Sequence, residues 1–390
     1  MNHFTPVEQP QKHVALLIET SNAYARGLLS GVKSYIRRHR PWSIYLGEHS
    51  RLDTDLSWLK DWRGDGIIAR IENEETASYI RELGVPTVDL SASRLLPELP
   101  CVETNNRTIG RWAADHLLER GYKHFAYCGD NQFAWSVQRG QYFGQRIAEA
   151  GYSCTHLHLA GRSSTLSERL GMAEWVEKLP KPTGIMACYD ITALKLLEAC
   201  RLAGVSVPEE AAVIGVDNDE LLCNLSDPPL SSIRPDTLQT GYRAAHLLDE
   251  MMAGRPVEAG IHSIDPLETI TRMSTDAIAV EDKYVSDAVQ FIRQHAYEDI
   301  NVEDVLRRIP LSRRSLDSRF VKALGRTTHE EIILIKMKLL TRLLAETDMT
   351  LQAIAERIGF KYAEYMSTVF KKYAGISPGA YRDRLNLPLK

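Results

Sequence analysis

From His13 onward, short apolar runs alternate with amphipathic stretches of helical length. HVALLIE, WSIYLG, GIIARI and PTVDLS come first, with the helix-like GLLSGVKSYIRRH behind the first of them. KHFAYCG, CTHLHLA, GIMACY, AAVIGVDN and LSSIR follow, with helical segments between most of them. Near-continuous apolar strands separated by helices are the pattern of parallel sheets covered on both faces. In such sheets ligands sit beyond the carboxyl ends of the strands. The polar residues expected there are Asn22, Tyr24 and Arg26 after the first strand, Glu48 after the second, Asp190 after GIMACY, and Asp217 with Asn218 after AAVIG. Each strand-end carboxylate has a plainer alternative role, capping the next helix.

At 390 residues and 44% apolar content the chain is long enough for two or three domains. No apolar run approaches the ~18 residues a membrane helix needs. The start, MNHFTPVEQPQKHVALLIET, lacks the basic region and cleavage site of a secretory signal, so a cytoplasmic protein with no membrane partner is expected. Six scattered cysteines without a CxxC pair fit reduced, mostly buried thiols. The net charge of −4 conceals an asymmetry. Residues 284–390 hold 18 Lys+Arg against 13 Asp+Glu, a net of +5, and the first 283 hold 29 against 38, a net of −9. A basic module follows an acidic one, a weak sign of nucleic acid on its own.

Five stretches, "TSNAYARGLLSGV", "TNNRTIGRWAADHLLERGYKHFAYCGD", "RGQYFGQRIAEAGY", "YDITALKLLEACRLAGVSVPEEAAVIGVDNDELL" and "PPLSSIRPDTLQTGYRAAHLLDEMMAGRP", occur in the order of the landmarks of the LacI/GalR sensor domain, which this region resembles. The resemblance implies two similar lobes of the periplasmic-binding-protein type joined by several crossovers, with a sugar or nucleobase effector between them. That family's amino-terminal DNA-binding headpiece has no counterpart ahead of the first strand. Its ligand contacts fall here on Tyr24, Trp135, Arg139, Asp190 and Asp217. The chemistry suits a sugar: carboxylates and amides take paired hydroxyls, an arginine donates several hydrogen bonds, and an aromatic ring covers the apolar face of a pyranose. Tyr142 stands where the family usually has glycine before the phenylalanine, which alters the setting of Arg139. Arg70, after GIIA, reads as a solvated loop residue, with a place at the cleft mouth as the alternative.

Other chemistry has little support. Cys154, His156 and His158 alternate along a strand, but no fourth ligand is indicated, and a plain strand is the better reading. G-x-G-x-x-G after a strand, G-x-x-x-x-G-K-[ST] and H-E-x-x-H do not occur. No cofactor, metal or enzymatic activity is expected.

The basic end carries an internal duplication. In "NVEDVLRRIPLSRRSLDSRFVKALG", Val302, Val305, Leu306 and Ile309 are matched at an offset of 49 by Leu351, Ile354, Ala355 and Ile358 in "TLQAIAERIGFKYAEYMSTVFKKYAG". After a one-residue insertion Leu316 pairs with Met366, Phe320 with Phe370 and Gly325 with Gly375. Each copy reads as a short helix opened by a capping residue (Asn301, Thr350), a turn near Pro310 or Gly359, and a second helix with a narrow apolar face. A narrow buried face leaves the remainder for something outside the protein, the logic of a helix-turn-helix in the DNA major groove. Two amphipathic hairpins in a helical bundle are the plainer alternative.

"LSRRSLDSRFVKALGRT" and "IAERIGFKYAEYMSTVFKKYAGISPGAYR" are similar to the first recognition helix and the second-motif signature of the AraC/XylS DNA-binding domain. A helix from about Thr328 to Ala345 would join the copies. The resemblance implies base-facing positions at Arg313, Arg314, Asp317 and Ser318, since arginine pairs with guanine and aspartate accepts from cytosine N4. In the second copy Tyr362, Ala363, Glu364 and Thr368 are expected to point outward and Lys361, Lys371 and Lys372 to meet phosphates. Leu316, Phe320, Met366 and Phe370 are expected in the core.

The expected architecture is therefore an α/β two-lobed, periplasmic-binding-protein-like domain with parallel sheets, followed by an all-α domain with two helix-turn-helix motifs. The expected boundaries are a polar tail at 1–12, the sensor at 13–278, a linker at 279–285 and the DNA reader at 286–386. A LacI-type sensor ahead of an AraC-type reader resembles the xylose-operon activators. That resemblance implies a homodimer acting on a double-stranded DNA operator, with D-xylose as effector and RNA polymerase as a further partner. The alternatives are a sugar-binding protein without DNA function and a repressor responding to another sugar.

Overall fold

The computed structural model describes residues 11–47, 57–159, 166–277, 279–280 and 282–385. It divides into two compact units, 1–277 and 278–390. Glu48 lies outside the described residues.

The first unit contains two six-stranded sheets. In chain order the strands are β1 (Lys12–Leu17), β2 (Trp42–Tyr45), β3 (Gly66–Ala69), β4 (Thr87–Asp89), β5 (Cys101–Thr104), β6 (His124–Asp130), β7 (Cys154–Leu159), β8 (Thr183–Ala187), β9 (Ala211–Val216), β10 (Ser231–Arg234), β11 (Ile261–Ile264) and β12 (Glu268–Ile270). One sheet has the order β11-β5-β4-β3-β1-β2 and is parallel throughout; the other runs β12-β10-β9-β8-β6-β7, with only β12 antiparallel. The central strands β3, β8 and β9 are buried at every residue, as continuous apolar runs require when helices cover both faces.

The chain passes between the lobes three times: after β5, after β10, and between β11 and β12. Two of these crossings are bonded together, since Asn105 Nδ2 and Thr108 Oγ1 both donate to Asp265 Oδ1, at 2.8 and 2.9 Å. The helix Thr237–Met252, which follows β10, packs back on the helix Ala23–Arg38 of the first lobe. Glycine is required at that crossing: a Cβ on Gly241 would lie 2.0 Å from the Leu28 carbonyl oxygen, and one on Gly31 would lie 2.2 Å from that of Leu238.

Three short strands, β5, β11 and β12, were absent from the sequence expectation. β11 and β12 sit at sheet edges with partly exposed residues, Ile261 at 55%, and the buried β5 has only Cys101 and Val102 before Glu103, so no apolar run advertises any of them. The amino-terminal boundary also moves: Lys12, expected in a polar tail, starts β1 and pairs with Asp65 at 2.9 Å.

The second unit is helical among its described residues: Lys283–Gln294, Val302–Arg308, Arg313–Leu324, Thr328–Glu346, Leu351–Arg357, Ala363–Ala374 and Pro378–Leu385. The segment expected as a linker to residue 285 is already helix from Lys283, capped by Asp282, and Val285 is in the core. The duplicated anchors do matching work. Val302, Val305 and Ile309 of one copy, and Ile354, Ala355 and Ile358 of the other, share one core with Leu316, Phe320, Met366 and Phe370. Asn301 and Thr350 cap the first helices; Gly325 (φ 71°) and Gly375 (φ 78°) close the second in the left-handed conformation that glycine adopts without strain.

Candidate effector cleft and DNA-reading helices

The carboxyl ends of the strands of both sheets supply a cleft. Tyr24 enters it from the first turn of the helix behind β1, Arg70 from the residue after β3, and Glu103 and Thr104 from the end of β5. Leu90 and Ala92 add an apolar wall, and Asn106, Trp135, Arg139 and Asp217 complete it. The helix Ala134–Glu149 brings Trp135 and Arg139 to one face at i, i+4, and the Arg139 guanidinium lies 5.0 Å from the Trp135 ring centroid.

Arg139 is 4% exposed and fixed from behind. Its Nε donates to Asn106 Oδ1 at 3.0 Å and its Nη1 to the Cys188 carbonyl at 2.7 Å, while Asp217 Oδ1 lies 4.0 Å from Nη1. Asp217 and Asn218 both have positive φ, 107° and 47°, uncommon for non-glycine residues. Such strain persists only where neighbours hold it, and it gathers at ligand-binding positions. Tyr24 Oη shares a 2.9 Å hydrogen bond with Thr104 Oγ1, and burial pushes its phenol above the ordinary range.

Arg70 is not a solvated loop residue. Its side chain is 7% exposed, ion-paired with Glu19 and with Glu72 (2.7 Å), and 5.4 Å from the Tyr24 ring centroid. Burial alone would depress its pKa, but Glu72 and Glu19 hold it above the usual arginine value. Arg70 and Arg139 thus meet three carboxylates, Glu19, Glu72 and Asp217, and Glu103 lines the same cleft, so it carries no surplus positive charge for an acidic ligand.

Two of the sequence candidates stand behind the cleft instead of lining it. Asp190 is 2% exposed and accepts from Ser232 Oγ at 2.6 Å and from the Asp219 amide at 2.8 Å. Burial and the nearby Asp217 charge push its carboxyl up. It organises the loop after β9 and does not cap its own helix, which opens on Tyr189 without a side-chain cap. Asn218 donates its amide to Ser232 Oγ and accepts from Arg272 Nη2 at 2.9 Å. Asn22 is the cap of the helix Ala23–Arg38, and Arg26 donates to the Thr20 carbonyl outside the cleft. The cleft residues missed in the sequence were Leu90, Ala92, Glu103, Thr104 and Asn106; Glu103 and Thr104 end β5, whose two apolar residues make no recognisable run, and Asn106 follows it.

In the second unit each motif's second helix buries two anchors and exposes the opposite face. Arg313, Arg314 and Ser318 are exposed in the first copy. Arg313 Nη1 is held at 2.9 Å by Glu303, leaving Arg314 the arginine of this pair without a described ion pair. Asp317, half-buried, accepts the Thr328 amide with Oδ1 at 3.0 Å, tying the recognition helix to the start of the joining helix. In the second copy Lys361, Tyr362, Glu364, Thr368, Lys371 and Lys372 are exposed, together with Tyr365, which the sequence reading passed over. Ala363 is corrected, because it packs against the core.

The joining helix contributes a buried cation. Lys336, 3% exposed, donates from Nζ to the carbonyls of Glu298 (2.8 Å) and Gly359 (3.2 Å). Gly359 has φ 67°, and a Cβ there would lie 2.2 Å from the Glu298 oxygen, so the second motif's turn rests directly on the backbone leading into the first.

Comparison with known proteins agrees with this division. Residues 13–107 match the XylR N-terminal domain, 114–275 a periplasmic binding protein-like domain and 305–384 a helix-turn-helix domain. The Xylose operon regulatory protein of Escherichia coli K12 is 32% identical over 381 residues, spanning 95% of this chain and 96% of its own. The chain belongs to the xylose operon regulatory protein family. A second relative of that name, from Haemophilus influenzae, is 31% identical over 382 residues, covering 95% of this chain and 97% of its own. A solved structure of the xylose-binding transcription activator XylR superposes with a TM-score of 0.83 at 30% identity, covering 96% of this chain and 99% of that one. Like the members of this family the chain joins a binding-protein-like domain to a helix-turn-helix domain, and the two resemblances read in the sequence follow that order. No described helix is long and apolar enough to cross a membrane.

Proposed function

We propose that the chain binds D-xylose between Tyr24, Thr104, Asn106, Trp135, Arg139 and Asp217, and that occupancy of this cleft sets how its two helix-turn-helix motifs engage an operator. The observation that carries the reading is the convergence of an aromatic face, a fixed arginine and a strained carboxylate in one cleft, on a chain that also presents a duplicated basic reader. An uncharged polyol fits this donor and acceptor set, and the similar protein of known structure is a xylose-binding activator. Arg314 is assigned to a base edge, and Lys361, Lys371 and Lys372 to phosphates. A homodimer activating transcription by contact with RNA polymerase in the cytoplasm extends the same reading.

Calorimetric titration with D-xylose, L-arabinose, D-glucose and D-glucuronate tests the sensor half. D-xylose should bind and D-glucuronate should not; binding of the acid alone would overturn the assignment. Retention on duplexes enriched from a randomised DNA pool tests the reader half, with loss of sequence preference in Arg314→Ala as the expected result. Equal losses at every base position would remove Arg314 from that role.

A further inference from the structure

The segment by which the chain leaves the first unit is bonded to the loop that carries the cleft carboxylate. Arg272 spans the two. Its Nη2 donates to Asn218 Oδ1 at 2.9 Å, its Nε to Asn224 Oδ1 at 3.1 Å and its Nη1 to the Leu230 carbonyl at 2.9 Å. Asn218 is the immediate neighbour of Asp217, and both hold positive φ. Asp190 grips the same loop from the other side through the Asp219 amide and Ser232.

Beyond Arg272 the backbone is clamped again. Ser274 Oγ donates to the Val213 carbonyl at 2.6 Å and accepts the Ser231 amide at 2.8 Å. Thr275 Oγ1 donates to Ser231 Oγ and lies 2.7 Å from His116 Nε2; Arg120 Nε donates to the Thr275 carbonyl at 2.8 Å. His116 belongs to the helix Asn106–Leu118, whose first residue holds Arg139 in the cleft. The second unit begins at Ile278, three residues after Thr275.

The exit segment is thus bonded to both sides of the cleft chemistry: through Arg272 to the Asp217–Asn218 loop, and through Thr275 to the helix that positions Arg139. A ligand shifts an equilibrium only through different interactions with its two states. A sugar engaging Asp217 acts on a loop whose unfavourable backbone is held by a few named bonds, one of them from Arg272. We infer that Arg272 is the positioning residue that reports occupancy of the cleft to the segment entering the DNA reader. The inference rests on the proposed sugar-responsive function and deepens it.

Binding linkage separates the two. D-xylose affinity is measured on the full chain alone and on the chain saturated with its enriched operator duplex. The wild type should show a ratio of about fivefold or more, within the usual range of coupling between sites. A ratio of one in the wild type would overturn the sugar-responsive reading and this inference with it. Arg272→Ala should bring the ratio to one while sugar affinity and operator affinity each stay near the wild-type values. A wild-type ratio retained in Arg272→Ala, or loss of sugar binding itself, would overturn the coupling role alone. Arg272→Lys, which keeps the charge but lacks the planar fork that reaches Asn218, Asn224 and Leu230 together, gives the same reading if the alanine variant fails to fold. In the unsubstituted chain, D-xylose should change amide exchange across residues 273–277, and unchanged exchange there would contradict the inference.

Discussion

Arg139 and Asp217 face the same space from one lobe, with Nη1 and Oδ1 4.0 Å apart. The arginine is fixed by Asn106 and Cys188, and the carboxylate sits on a strained loop. Hydroxyls of a sugar placed between them have a rigid donor on one side and an acceptor on the other. A hydrogen bond to a charged group contributes about 1.5–3 kcal/mol, so Asp217→Asn should weaken D-xylose roughly 10- to 100-fold. Calorimetry on the folded variant decides; unchanged affinity would remove Asp217 from the site.

Arg70 bears on stability as well as on the cleft. Removing one partner of a buried ion pair costs about 3–5 kcal/mol because the other charge is left buried. Arg70→Ala strands Glu19 and Glu72, 5% and 12% exposed as side chains. Urea unfolding of the first unit's transition should show a loss of that order, and a loss below ~1 kcal/mol would mean that water reaches the two carboxylates.

Asp89 gives a pH dependence. It is fully buried at the end of β4, accepts the Ile71 and Ser91 amides, and burial pushes its pKa up to about 7. A carboxyl whose folded pKa is raised binds its proton more tightly in the folded state. Its contribution to stability is therefore present below the unfolded pKa of about 4 and is lost as pH rises toward 7. Asp89→Asn keeps an oxygen acceptor without that loss, so the variant should gain on the wild type between pH 5 and pH 8. Urea titrations at the two pH values measure it; parallel stabilities would contradict the assignment.

The two acidic and basic candidates on the recognition helices should behave differently. Asp317→Ala removes the bond to the Thr328 amide and should lower stability by about 1 kcal/mol with base preference intact. Lys372→Ala should instead weaken all duplexes alike and make binding less steeply dependent on salt. A changed base preference in Asp317→Ala would return that residue to the groove.

Lys336 should govern the spacing of the motifs. Two linked sites gain from each other only while their geometry is kept. Lys336→Met frees the carbonyls of Glu298 and Gly359, so binding to a duplex carrying both motif sites should fall roughly tenfold while a duplex carrying one site is bound as before. Equal losses on both duplexes would show a general defect instead.

What the sequence revealed follows physical periodicity. The central strands and the duplicated helix anchors were legible because continuous or 3.6-spaced apolar residues have few other uses, and Leu316, Phe320, Met366 and Phe370 are all fully buried. The edge strands β11 and β12 were not, being partly exposed, nor was β5, whose apolar pair Cys101–Val102 is cut short by Glu103. Within the site, the resemblance to the LacI/GalR sensor pointed to Tyr24, Trp135, Arg139 and Asp217, which line the cleft, but it did not distinguish them from Asp190, a carboxylate that shapes the loop behind it. Arg70 was misread because an arginine after a strand is buried only when carboxylates meet it, and Glu19 lies 51 residues away in the chain. Ala363 was placed outward for a related reason: helical phase indicates a direction, while the core it packs against comes from elsewhere in the chain.

In the proposed function one chain couples a sugar cleft to a DNA reader. The most direct test of that coupling is titration of the enriched operator duplex into the full-length protein with and without saturating D-xylose, at fixed salt. D-xylose should change operator affinity by about fivefold or more, and operator should change D-xylose affinity by the same factor. Identical operator affinities in the two titrations would contradict it.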